Sequence, residues 1–84
     1  MVRHMEQDEQ RRWESAVAAT LRAERGIARL SQADVARITG IARSSYRLYE
    51  SAERVPDAVQ LARIAEAFKV PWLRLVSEIN RRAT

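Results

Sequence analysis

Apolar positions along this chain fall into five groups, each spaced as one face of a helix. Trp13, Ala16, Val17, Thr20 and Leu21 mark one side of a long first helix over about residues 8–28. Gly26 lies inside it and costs on the order of 1 kcal/mol relative to alanine, so the last turn is expected to fray or end early. Ser31 followed by Asp34 is an S-x-x-D start signal: the hydroxyl accepts from early amides, and the carboxylate sits at the positive end of the helix dipole. A short second helix over residues 32–38 begins there, and Gly40 supplies the backbone freedom to turn after it. Helical spacing resumes over residues 43–51, with Tyr46 and Tyr49 on the inner side. Pro56, Asp57 and Gln60 announce a fourth helix, whose stripe is Leu61, Ile64, Ala65 and Phe68. Pro71 opens a fifth, carrying Trp72, Leu75, Val76 and Ile79 and ending in a frayed "RRAT".

Two glycines, two prolines, scattered β-branched residues and no two-residue hairpin signal leave an all-α chain. Its length allows one small domain. Residues 1–12 are read as a partly disordered tail or the start of the first helix, and residues 13–84 as the folded domain. The leading "MVRHM" is open to three readings, a native start, an added leader, or an alternative start ahead of Met5, so His4 is given no role. Without cysteine, neither disulfides nor thiolate metal ligands can brace the fold. No apolar stretch approaches the roughly 20 residues of a membrane span, and the N-terminus lacks a secretory h-region, so the default address is cytoplasmic. The deciding spacing is that between Ile38 and Arg43. A turn of about four residues containing Gly40 sets two short helices at a steep angle, a helix-turn-helix unit, with an ordinary bundle corner as the alternative.

Charge sharpens this picture. The net charge is +4, but residues 1–24 carry −1, so the +5 lies in residues 25–84. Such a field suits nucleic acid first and an anionic membrane second. Fourteen of the fifteen cations are arginine, which a GC-rich coding sequence would also produce.

Between Leu21 and Val76 the chain resembles the Cro/C1-type (XRE-like) helix-turn-helix repressors. The resemblance rests on "LSQ" at the second helix, Ala36 and Gly40 of "VARITG", "GIARSSYRLYE", and the "P-D-x-x-x-L-x-x-I-A-x-A" pattern of helix four. It implies a compact five-helix, lambda-repressor-like domain, here with an extended N-terminal helix, that lays its third helix in the major groove of double-stranded DNA. By position, Arg43, Ser44, Arg47 and Leu48 would meet base edges. Arginine suits guanine O6 and N7, and Leu48 can only favour a thymine methyl. A solvated Arg/Ser face is the bland alternative. Ser31 and Gln32, with Ser45 and Arg54 as weaker members, would hold phosphates. Arg25 and Glu50 would form an ion pair joining helix one to helix three.

Departures from the family pattern matter too. Ala42 stands where a hydroxyl cap is usual, which removes about 1 kcal/mol of capping and leaves the first amides of helix three for a phosphate. Arg29 and Lys69 stand where the family often turns through glycine, so those loops are expected to differ, and Ala52 replaces a glycine that commonly ends helix three.

The resemblance further implies a cytoplasmic transcriptional regulator or repressor of bacterial or phage origin, nucleoid-associated when bound, working without a cofactor. One domain reads few base pairs, so a homodimer on a palindromic operator is expected, with half-sites about 34 Å apart. Trp13 on helix one and Trp72, Leu73, Val76 and Ile79 on helix five are the candidate dimer contacts. The rival reading is a protein-binding module of the same fold, such as an antitoxin, suggested by the acidic "MEQDEQ". No nucleophile–base pair or metal ligand set is evident, so catalysis is not expected.

Overall fold

The computed structural model describes residues 6–84 and contains, among them, five helices and no strand: α1 (Gln7–Ala28), α2 (Gln32–Thr39), α3 (Arg43–Glu50), α4 (Ala58–Phe68) and α5 (Trp72–Ala83). The reading of "MVRHM" and His4 lies outside the described residues. Each start follows from local chemistry. Ser31 Oγ accepts from the Asp34 amide at 3.0 Å while Asp34 returns a bond to the Ser31 amide at 2.9 Å, a reciprocal cap. Asp57 accepts from the Gln60 amide at 2.8 Å and so starts α4, and Pro71 takes the capping position of α5. Ala42 offers α3 no side-chain cap.

The helix ends correct two expectations. α1 runs unbroken through Gly26 to Ala28, because Gly26 is exposed while Leu21 and Ala28 on the inner stripe hold the last turns to the core. Arg29 and Lys69 do not reroute their loops. Both adopt the left-handed conformation at φ 60, as a glycine would, with the following Leu30 and Val70 amides bonding back to Arg25 and Ala65 carbonyls. Leu30 and Val70 then pack on the core, and this burial offsets the strain of a side chain at positive φ. Ala52 also sits at φ 66, just after α3. Lys69→Gly and Ala52→Gly are therefore expected to stabilise the domain by about 1 kcal/mol each, seen as a rise in Tm of several degrees. An unchanged or lower Tm for both would mean that the left-handed turns are not strained.

The core gathers one stripe from every helix: Leu21 of α1, Val35 of α2, Tyr46 of α3, Ile64 of α4 and Leu75 of α5 are fully buried. α1 packs most extensively on α5, so the longest helix backs the domain while α2 and α3 form a pair across the Gly40 turn. That turn is fixed by Gly40 at φ 77 and by the buried Ile41. Thr39 Oγ1 donates to the Val35 carbonyl at 2.7 Å and accepts from the Ile41 amide at 3.2 Å. Glycine is favoured there by the positive φ alone, since a side chain would meet no steric obstacle.

Candidate nucleic-acid interface

Eight residues of α3 divide cleanly by face. Tyr46, Tyr49 and Glu50 are buried, Arg43, Ser44 and Arg47 are exposed, and Ser45 and Leu48 are half-buried at the margins. The tyrosine rings meet edge to face, with centroids 6.3 Å apart and planes at 80°, an arrangement worth about 0.5–1.5 kcal/mol beyond area burial. They anchor the helix from below and leave two guanidiniums and a hydroxyl turned to solvent. Arg54, on the connection to α4, donates to Ser45 Oγ at 3.4 Å, so these two polar groups extend the face beyond the end of the helix.

The inner end of α3 is held by one carboxylate. Glu50 is only 4% exposed, and Arg25, itself 25% exposed, grips it with two bonds, Nε to Oε2 at 2.7 Å and NH2 to Oε1 at 3.0 Å. This fork-on-fork geometry is the strong form of an ion pair. Gln32 Nε2 adds a third bond to Oε1 at 3.0 Å, and Arg22 donates to the Glu50 main-chain carbonyl. Arg25 also donates to the Leu30 carbonyl at 3.0 Å. Burial pushes the Glu50 carboxyl up, but the hydrogen bonds from Arg25 and Gln32, with the Tyr46 phenol beside them, outweigh it and hold it below the usual carboxylate range. The Tyr46 hydroxyl falls short of full hydrogen-bond geometry. Burial, and then the adjoining Glu50 carboxylate, raise its pKa, so the phenol stays neutral. Three helices thus meet at Glu50: α1 through Arg22 and Arg25, α2 through Gln32, and α3 itself.

The residues singled out for phosphate are only partly free. Ser31 Oγ is engaged as an acceptor in its cap, and the Gln32 side-chain amide nitrogen is committed to Glu50, which leaves the main-chain N–H groups at the start of α2 pointing out of the helix. Of the candidate dimer contacts, Leu73 is 77% exposed and Trp72 39%, while Val76 is half-buried and Trp13 packs on the core. Ile79 must be removed from that set. At 4% exposure it belongs to the buried core and offers nothing to a second molecule.

The structural work of three side chains is not read from the sequence, and Gln32 among them is read only as a phosphate contact. Arg22 and Gln32 act at Glu50, and Glu24 is buried with Arg74 as a charged partner at 3.7 Å. The signal for Glu24 was present: it continues the inner stripe three residues past Leu21.

Two surface clefts, of about 490 Å³ beside Trp13 and Thr84 and about 300 Å³ beside Ile38 and Arg63, include no residue of α3. Among the described residues no group of His, Asp and Glu is placed to hold a metal, and no helix is long and apolar enough to cross a membrane. An exposed short helix set across a glycine turn from its neighbour is the arrangement of a helix-turn-helix unit. The family profile of the helix-turn-helix domain matches residues 16–76. The chain belongs to the helix-turn-helix domain family. No curated protein and no solved structure matches it. The match takes in α2, the Gly40 turn and α3 entire, together with the Arg25–Glu50 contact. A helix-turn-helix domain has DNA as its partner and commonly serves regulation, and five helices around one core are the frame that presents it here.

Proposed function

We propose that this helix-turn-helix protein binds double-stranded DNA sequence-specifically, as a homodimeric transcriptional repressor, by inserting α3 into the major groove. The observation that carries the reading is the division of α3 into a buried tyrosine face and an exposed face of Arg43, Ser44 and Arg47. Arg43 stands exposed at the first position of the helix, and its two parallel donors match guanine O6 and N7. Ser44 accepts or donates to a neighbouring base, Arg47 reaches a base or a phosphate, and the half-buried Leu48 meets a thymine methyl. Ser45 and Arg54 take phosphate on one side. Ser31 and Gln32 take it on the other, chiefly through the main-chain N–H groups that open α2. The uncapped amides at the start of α3 are available to the same backbone.

Dimerisation supports the specificity that one helix cannot supply, and Trp72, Leu73 and Val76 on α5 are the surface proposed for it, with Trp13 on α1 in second place. The test is binding to mixed-sequence duplexes over a range of salt, with sedimentation of the same samples. Affinity should fall steeply and linearly in log salt, with a slope near −0.9 for each phosphate neutralised, and two chains should sediment with one duplex. Indifference to every duplex at low ionic strength would refute the reading.

A further inference from the structure

Arg22 lies on α1, a helix the proposed interface does not use, yet it donates to the main-chain carbonyl of Glu50, the last residue of α3. That carbonyl is one of the four at a helix C-terminus with no partner inside the helix. A guanidinium there both satisfies it and sits at the negative end of the helix dipole. α3 needs such support more than its neighbours. It is as short as α2, at eight residues, but lacks the side-chain cap and the first-turn acidic residue that α2 has, and Arg43 places positive charge at the end where charge of that sign is least favourable. The other side-chain bonds at Glu50 hold its carboxylate, whereas Arg22 holds its main-chain carbonyl; two residues earlier the Leu48 carbonyl is held by the Glu53 and Arg54 amides of the chain's own turn.

We propose that Arg22 is a positioning residue for sequence recognition: it fixes the C-terminal turn of α3, and through it the angle at which Arg43 and Arg47 are presented. This rests on α3 being the reading helix. It separates Arg22 from the arginines assigned to DNA, because Arg22 contributes orientation and neutralises no phosphate. A helix free to tilt by a few degrees still attracts a duplex, but it loses the alignment that a two-bond contact with a base edge demands.

The test uses the full chain, a duplex selected by the wild-type protein from a random pool, and a scrambled duplex of equal length, each titrated at several salt concentrations. Arg22→Met keeps the apolar stem and removes donor and charge; Arg22→Lys restores the charge and one donor. For Arg22→Met, affinity for the selected duplex should fall about tenfold, the worth of one charge-assisted hydrogen bond. Affinity for the scrambled duplex should stay within about twofold, and the slope of log affinity against log salt should not change. Arg22→Lys should recover part of the discrimination. An equal loss on both duplexes, with the slope shallower by about 0.9, would make Arg22 a phosphate contact and overturn the proposal. Unchanged binding to both duplexes would overturn it as well. If Arg22→Met does not fold, Arg22→Lys gives the same decision, since a single flexible donor should still lower the selected-to-scrambled ratio. Should the wild-type protein itself enrich no sequence from the pool, the reading of α3 fails first and this inference falls with it, an outcome distinct from an operator that the variant binds as well as the wild type.

Discussion

Arg25→Ala is expected to destabilise the domain by about 3–5 kcal/mol, the typical effect of leaving one member of a buried pair without its partner. For 84 residues at roughly 0.05–0.15 kcal/mol each, that is a large share of a total of about 4–13 kcal/mol. The loss should also carry a distinctive pH signature. In the wild-type protein the folded Glu50 carboxyl lies below its unfolded value, so its contribution is complete above the unfolded pKa of about 4.3 and disappears as pH falls through the lower folded value. Without Arg25, burial becomes the dominant influence on a carboxyl that is only 4% exposed, and the folded pKa moves above the unfolded one. The sign then reverses. The contribution is present below the unfolded pKa and is lost as pH rises through the folded pKa. Moving from pH 7 to pH 5 should therefore raise the Tm of Arg25→Ala and leave that of the wild type level or slightly lower. Parallel Tm profiles for the two proteins would show that Glu50 is better solvated than its burial indicates. Replacing both members, as Arg25→Met with Glu50→Leu, should recover much of the stability, because no buried charge is then left unpaired.

Arg43→Ala is the second change with a large expected effect, and it acts on recognition rather than on folding. Its side chain is exposed and bonds to no other group among the described residues, so Tm should move by no more than a degree or two. Against a duplex selected from a random pool, discrimination at one base pair should fall by about 1–3 kcal/mol while preferences at the remaining positions persist. The measurement is affinity for the selected duplex and for a panel of single base-pair variants. A uniform loss across the panel would make Arg43 a contributor of charge alone.

These two arginines illustrate what the sequence discloses and what it withholds. The five helices were legible because each carries its own apolar stripe and start signal, as in Ser31 with Asp34 or Asp57 before Leu61, and such signals depend on neighbours three or four residues away. The inward turn of Tyr46 and Tyr49, and with it the outward turn of Arg43, follows from the same periodicity. The network at Glu50 is different. Arg22, Arg25 and Gln32 lie 18 to 28 positions from Glu50 in the chain, so no local pattern links them to it, and only the Arg25–Glu50 contact was reached, by resemblance. Gln32 could be placed at the start of α2, but its commitment to Glu50 depends on how α3 docks. Ile79 was misplaced for a related reason. The α5 stripe is wide enough to serve both the core and a surface, and periodicity does not say which of its members α1 covers. Arg29 and Lys69 show the limit for loops: the left-handed turn is retained because Leu30 and Val70 must reach the core, a tertiary demand that overrides the residue's own preference.

The account depends on the outer face of α3 lying against a duplex, and the most direct measurement is the map of backbone amide shifts when the isotopically labelled protein is titrated with its selected DNA. The expected map has its largest changes at residues 31–33, 43–48 and 54, with α4 little affected. Changes confined to α1 and α5, with residues 43–48 unmoved at saturation, would contradict it.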